Sequence, residues 1–225
     1  RYVGDHVAFV VAETEDAAME AAELVMLDYD PLPAVVDGMA AQVEGAPQLW
    51  EGAPNNIIYR FQKGDKAAME AAFASAAHVV ELDIVNNKIS AVPMEPRSGI
   101  GEYDPARETY KLTCAAQGLH GIRGQLAKSI FRVPEVQMEL VAPDVGGGFG
   151  PKAGFYPEEV VISLAARIMK CPVKWIEDRR EYFVATTTQR DQHWDLEVAC
   201  TAEGKILGLR GKVTHENGAY VPYGL

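Results

Sequence analysis

The sequence predicts a mixed α+β fold. Short β-branched and aromatic runs alternate with segments of helical periodicity, as expected of strands and helices that share sheets rather than forming a bundle or sandwich. A run of four glycines in five residues follows directly on an apolar strand pattern, a place where bare backbone meets a ligand or turns sharply. With 225 residues, 48% hydrophobic and 24% charged, the chain has enough apolar surface to bury a core in one or two domains.

Residues 7–11 read as an apolar strand. Residues 15–27 read as a helix, with Ala17, Ala18, Ala21, Leu24 and Val25 at helical spacing and Thr14 suited to cap it. Asp28-Tyr29-Asp30-Pro31-Leu32-Pro33 ends the helix and opens an extended edge segment, since proline restricts itself and its predecessor. The result is a small strand–helix–strand unit. Residues 38–62 lose periodicity and gather Gly38, Gly45, Pro47, Gly52 and Pro54, which reads as a linker. A larger mixed sheet follows. A helix is expected over 65–77, strands over 78–86, 98–103 and 109–115, a turn at Asp104-Pro105, a helix over 118–131 and a buried strand over 136–141. From Pro157 a helix carries Val160, Val161, Leu164, Ala165 and Ile168 on one stripe. Strands are expected over 173–177, 193–200 and 206–215, the last two joined by a hairpin turn at Glu203-Gly204.

The net charge of −11 argues against nucleic acid and anionic membrane surfaces as partners. No apolar run approaches the roughly 18 residues of a membrane span. Cys114, Cys171 and Cys200 are too few and too scattered for a disulfide framework or an iron–sulfur cluster, and fit a reducing cytoplasm.

The glycine stretch Val145-Gly146-Gly147-Gly148-Phe149-Gly150-Pro151-Lys152 matches neither common phosphate loop. Pro151 and Ala153 flank the lysine, which excludes Gly-x-x-x-x-Gly-Lys-Ser/Thr, and the glycine spacing is not Gly-x-Gly-x-x-Gly. Taken alone it fits a turn from strand to helix equally well. Gln117, at a strand-to-helix junction, can donate from its amide without titrating, or cap a helix. His120 and Arg123 share a helix face and could meet a phosphate, or pack and ion-pair. His193, His215, Asp191, Asp195 and Glu216 have no recognisable metal-ligand spacing and fall on strand faces. Glu158 and Glu159 suit the helix dipole. Glu177-Asp178-Arg179-Arg180 reads as a solvated charge cluster, and Met94-Glu95-Pro96 as a rigid turn. No nucleophile–base set stands out.

Together with Pro93-Met94-Glu95-Pro96-Arg97, Thr113-Cys114-Ala115-Ala116-Gln117-Gly118-Leu119-His120-Gly121-Ile122-Arg123, Tyr156-Pro157-Glu158-Glu159, Pro172-Val173-Lys174-Trp175-Ile176-Glu177-Asp178-Arg179 and Glu216-Asn217-Gly218-Ala219-Tyr220, the loop gives an ordered motif set. This set resembles the molybdopterin-binding large subunit of the xanthine dehydrogenase/aldehyde oxidase family of molybdenum hydroxylases, most like the large subunit of aerobic carbon monoxide dehydrogenase. The resemblance implies that residues 1–37 end an α/β hammerhead domain, 38–62 link, and 63–225 begin a molybdopterin-binding domain, with short N-terminal and long C-terminal portions lying outside the sequence. It implies that Gly147, Gly148, Phe149 and Gly150 bind the cofactor, that Gln117 and Gly150 stand near molybdenum without ligating it, and that Gln117 and Phe149 take part in catalysis. Purine-oxidising members carry glutamate after the loop lysine; Ala153 stands there instead and speaks against purines. The implied cofactor is molybdopterin cytosine dinucleotide with molybdenum, and the implied partners are a small iron–sulfur subunit and a medium FAD subunit in a cytoplasmic dimer of heterotrimers. The general base and any copper-bearing cysteine loop would lie beyond Leu225. The implied activity is oxidation of carbon monoxide, an aldehyde or an N-heterocycle with water as oxygen source; the alternative is a non-catalytic scaffold that binds partner subunits but no metal.

Overall fold

The computed structural model describes residues 2–220. Contacts divide the chain into two compact units that do not follow linear order. One holds the stretches up to Tyr29 and from Ser90 to Thr188; the other holds Asp30 to Ile89 and Gln189 onward.

The first unit is built on four strands, β2 (Ser98–Asp104), β3 (Thr109–Cys114), β4 (Met138–Val141) and β5 (Val173–Ile176), in the order β4-β3-β2-β5. Strand β3 runs antiparallel to β2 and parallel to β4, while β2 and β5 are antiparallel. Alternation sends Tyr110, Leu112 and Cys114 of β3 to one face, where they meet Met138, Val173 and three helices' worth of apolar side chains, among them Ile122, Leu126, Ile162 and Ala166. These come from α3 (Leu119–Gln125), its π-helical continuation Leu126–Phe131, and α4 (Pro157–Met169). Helix α4 lies so close to β2 that a Cβ on Gly101 would stand 2.7 Å from the Ile162 carbonyl group. Thus Gly101, weak in a strand by propensity, is what lets helix and sheet backbones meet.

The second unit carries a sheet in the order β1-β6-β7, all antiparallel: β1 (His78–Asn86), β6 (Gln192–Cys200) and β7 (Ile206–His215). Helix α2 (Lys66–Ala74), capped by Asp65 accepting from the Ala68 N–H, packs on β7, where Gly208 sits under Met69 and Ala72. Residues 38–62 are ordered without a strand or α-helix: the Asn56 side chain donates to the Ala41 and Pro47 carbonyls and accepts from the Leu49 N–H.

The mixed α/β class is therefore observed, but the small strand–helix–strand unit is not. Residues 7–11 and 31–36 pair with no strand among the described residues and remain extended. A strand pattern becomes a strand only where another strand's backbone pairs with it, and neither segment is so paired among the described residues. Helix α1 (Glu15–Glu23) keeps its Thr14 cap but stops four residues short of 27. It buries no residue, so nothing holds Val25 to Leu27 in a last turn. One helix escaped the sequence reading, α5 (Arg179–Ala185), capped by Asp178 accepting from the Glu181 N–H.

Gly101→Ala is expected to push α4 off β2 and lower stability by about 1–3 kcal/mol, while Gly52→Ala, with nothing near its added methyl, changes it by under about 0.5 kcal/mol. Urea unfolding of the two variants checks both values.

Candidate functional site

Because β3 and β4 are parallel neighbours, their carboxyl ends open on one edge, and the segments after them are brought together. After β3 comes Gln117; after β4 comes the glycine loop. The two meet directly. The Gly150 N–H donates to Gln117 Oε1 at 3.0 Å, and the Gln117 N–H donates to the Lys152 carbonyl at 2.7 Å. An added Cβ on Gly148 would overlap the Gln117 carboxamide. The glycine is needed for the approach of this side chain, a cause the sequence does not display. Gly147 and Gly150 adopt φ of 95° and 105°, which favour glycine. Phe149 also sits at positive φ, 52°, with its ring 67% exposed at the loop tip. A bulky residue held there costs about 1–3 kcal/mol, strain that occurs where structure serves a site.

Since Gln117 Oε1 is used by Gly150, the carboxamide orientation is fixed and its NH2 end is presented as the donor. The loop opening is anchored from Glu95, whose Oε2 accepts from the Gly146 N–H at 2.8 Å and from Lys152 Nζ at 2.8 Å. Burial pushes the Glu95 pKa up, but Lys152 and the Gly146 N–H overcome it and hold the carboxyl below its usual range.

Behind the loop lies a buried ion cluster that the sequence reading missed. Arg97 Nη2 donates to Glu158 Oε1 at 2.8 Å and to Glu177 Oε1 at 2.6 Å, and the Arg97 N–H donates to Glu177 Oε2 at 2.9 Å. Thr186 Oγ1 donates to Glu177 Oε1, His6 Nε2 lies 3.0 Å from Glu158 Oε1, and the Tyr156 ring centroid lies 3.8 Å from the guanidinium carbon. Glu177 is thus no part of a solvated cluster: it is 1% exposed. Arg179 is likewise engaged, donating to the Pro93 and Met94 carbonyls. Glu158 and Glu159 do stand in the first turn of α4 but both are buried. Burial raises the Glu158 pKa, yet Arg97 outweighs it and the net shift is down. Glu159 caps the helix by accepting from the Tyr156 N–H at 2.6 Å, and burial pushes its pKa up to about 7.

Other candidates stand apart. His120 and Arg123 line an open depression of about 350 Å³ with Glu135, Met138 and Leu140, where Arg123 pairs with Glu135 at 3.3 Å. In the second unit, Asp191 and Glu216 pair with Lys88. No group of three or more His, Cys, Asp or Glu side chains able to hold a metal occurs among the described residues, and none of the described helices is long and apolar enough to cross a membrane.

Comparison with known proteins places these features in context. Residues 49–225 match the molybdopterin cofactor-binding domain. The chain is 40% identical over 221 residues to the 6-hydroxypseudooxynicotine dehydrogenase complex subunit gamma of Paenarthrobacter nicotinovorans, covering 97% of this chain and 27% of that protein. It is 36% identical over 226 residues to the carbon monoxide dehydrogenase large chain of Hydrogenophaga pseudoflava, covering 95% and 28%. Among solved structures, reconstituted CO dehydrogenase from Oligotropha carboxidovorans superposes with a TM-score of 0.83 at 34% identity, over 90% of this chain and 26% of that one. Quinoline 2-oxidoreductase from Pseudomonas putida 86 gives 0.81 at 33% identity, over 90% and 25%. The chain spans about a quarter of the length of these relatives.

Two stability outcomes follow. Arg97→Met leaves Glu158 and Glu177 buried without their counter-ion and is expected to cost about 3–5 kcal/mol in chemical unfolding. Glu159 binds its proton more tightly folded than unfolded, so its contribution to stability is present below pH 4.5 and is lost as pH rises toward 7. The full loss is about 3 kcal/mol at 1.36 kcal/mol per pKa unit. Glu159→Gln keeps the capping acceptor and is expected to flatten the stability profile between pH 5 and 8.

Proposed function

The chain belongs to the molybdopterin cofactor-binding domain family, and from that premise we propose that it forms part of the catalytic subunit of a molybdenum hydroxylase-type oxidoreductase, with Gln117 and the 146–150 loop facing the cofactor. The observation that carries the reading is the oriented carboxamide: Oε1 accepts from the Gly150 N–H, which turns the NH2 end of Gln117 away from the loop backbone as a donor. Such a donor suits an oxygen-bearing anionic cofactor and does not change charge with pH. Gly148 admits the Gln117 carboxamide and so brings that donor against the loop, and the exposed Phe149 side chain supplies an apolar wall for a small substrate.

Molybdopterin, held as its cytosine dinucleotide in this reading, supplies two-electron redox chemistry, with water as the oxygen source. The chain's own part is positional. Gln117 donates, the glycine backbone cradles, and Phe149 bounds the substrate space. The substrate class is carbon monoxide, an aldehyde or an N-heterocycle, consistent with names of the relatives that refer to carbon monoxide, nicotine derivatives and quinoline. We extend the reading to a cytoplasmic assembly with an iron–sulfur subunit and an FAD subunit, paired as a dimer of heterotrimers. Residues 1–37 would close a hammerhead domain, 38–62 link it, and 63–225 open the cofactor domain. The general base and iron–sulfur ligands are assigned to other parts of that assembly.

The test uses the full-length subunit with its partners, measuring molybdenum per chain and turnover. Gln117→Ala is expected to keep molybdenum but lower kcat about 10–100-fold, the usual effect of losing a residue that orients a metal's environment. Gly148→Val, which displaces Gln117 and fills the approach, is expected to abolish loading. Wild-type protein devoid of molybdenum would overturn the reading in favour of a scaffold.

A further inference from the structure

Glu95 and Lys152 meet beneath the glycine loop, and neither is among the residues read as touching the cofactor. Lys152 is 2% exposed, so its ammonium has lost nearly all its hydration and depends on Glu95 Oε2 at 2.8 Å. That same oxygen accepts from the Gly146 N–H at 2.8 Å, and the Glu95 N–H donates to the Gly146 carbonyl at 3.3 Å. Gly146 lies so near that an added Cβ would stand 2.6 Å from Glu95 Cβ. The beginning of the loop is therefore tied to Glu95 on three sides.

Its far end is tied to Gln117. Lys152 gives its carbonyl to the Gln117 N–H at 2.7 Å, and Gln117 Oε1 accepts from the Gly150 N–H at 3.0 Å. The turn carrying Glu95 is itself fixed, since Arg179 Nη2 donates to the Pro93 and Met94 carbonyls at 2.7 and 3.1 Å. The contacts close a circuit from Glu95 through Gly146 and the loop to Gly150, on to Gln117, and back through Lys152.

The geometry points to Glu95 and Lys152 as positioning residues: an ion pair between a buried ammonium and a partly exposed carboxylate that sets the register of the loop against Gln117 and so aims the Gln117 N–H donors. This rests on the reading of Gln117 as a cofactor donor. Among the described residues Glu95 alone pairs with the Lys152 ammonium, so breaking the pair from the Glu95 side should disturb the loop more than removing both charges.

The experiment takes Glu95→Gln, Lys152→Met and the double variant in the full-length subunit with its partners. Hydrogen exchange over residues 145–152, molybdenum per chain, kcat and KM are measured. Glu95→Gln is expected to speed exchange of the Gly146 and Gly150 amides about tenfold. It should retain molybdenum and lower kcat about 10–100-fold with KM within about twofold, as misplacement of an aligned donor does. Adding Lys152→Met should recover part of both losses. Wild-type exchange in Glu95→Gln, or a fall in kcat matched by an equal fall in molybdenum, would sink the positioning role, as would strictly additive effects in the double variant. Absence of molybdenum from the wild-type subunit would instead overturn the cofactor reading and with it the catalytic half of this inference, while the exchange rates still judge the latch itself.

Discussion

The burial of the Arg97 guanidinium is the constraint on which the rest of the first unit depends. A charge 1% exposed needs counter-charges, and the groups that supply them come from far along the chain, Glu158 at the start of α4 and Glu177 just past β5, although Arg97 Nη1 itself is buried without a hydrogen-bond partner among the described residues. Such a cluster need not stabilise more than an apolar replacement of the same shape would, but one arrangement of these elements satisfies it and others leave a buried charge exposed to cost. Once α4 is docked at its first turn, Gly101 and Ile162 set its height over the sheet. Glu159 then holds the Tyr156 N–H, and Tyr156 OH donates to the Pro151 carbonyl at 2.8 Å. In this way the ion cluster behind the glycine loop fixes, through Tyr156, where the loop must end.

That dependence explains what could be read from the sequence and what could not. Strands with local alternation, such as β1 and β7, are legible because side-chain period and bounding turns are written in adjacent residues. The meeting of Gln117 with the loop was legible too, since two buried strands ending in polar or glycine segments need only be parallel neighbours for their ends to converge. The role of Arg97 was not. Its partners lie 61 and 80 residues away, and a Glu in a first helical turn looks the same whether it faces solvent or a guanidinium. The available signal was composition: Arg97 and Glu177 each border a strand of the same sheet, where a charge without a partner is out of place. Residues 7–11 failed in the opposite direction, for their local pattern is sound but a ladder partner is a non-local fact.

The loop also illustrates how the chain divides its costs. Gly147 and Gly150 surrender conformational freedom, and Phe149 accepts a left-handed backbone that its side chain opposes. What offsets this is not the loop's own contacts with solvent but the bonds at its two ends, to Glu95 and to Gln117. A segment held at both ends keeps its amides in fixed positions, which is what a rigid cradle requires.

The protonation states around the loop bear on which part of the chemistry this chain can supply. Glu95 is the carboxylate bonded to the loop; burial pushes its pKa up, but Lys152 and the Gly146 N–H outweigh that and lower it below the usual carboxylate range. A carboxylate so held is a poor proton acceptor, because a base is effective when its pKa lies near the working pH. Its pair-bonded geometry also commits Oε2, leaving the group no freedom to follow a substrate. Glu159, the one carboxyl whose pKa rises to about 7, is 7% exposed and spends an oxygen on the Tyr156 N–H, so it is removed from any substrate by its place inside the helix cap. The groups that the 146–150 loop and Gln117 offer are therefore donors of fixed charge, suited to orient and stabilise an anionic partner. In the function proposed above, these groups orient rather than transfer protons, and the Glu95–Lys152 pair serves by holding the loop in register with Gln117.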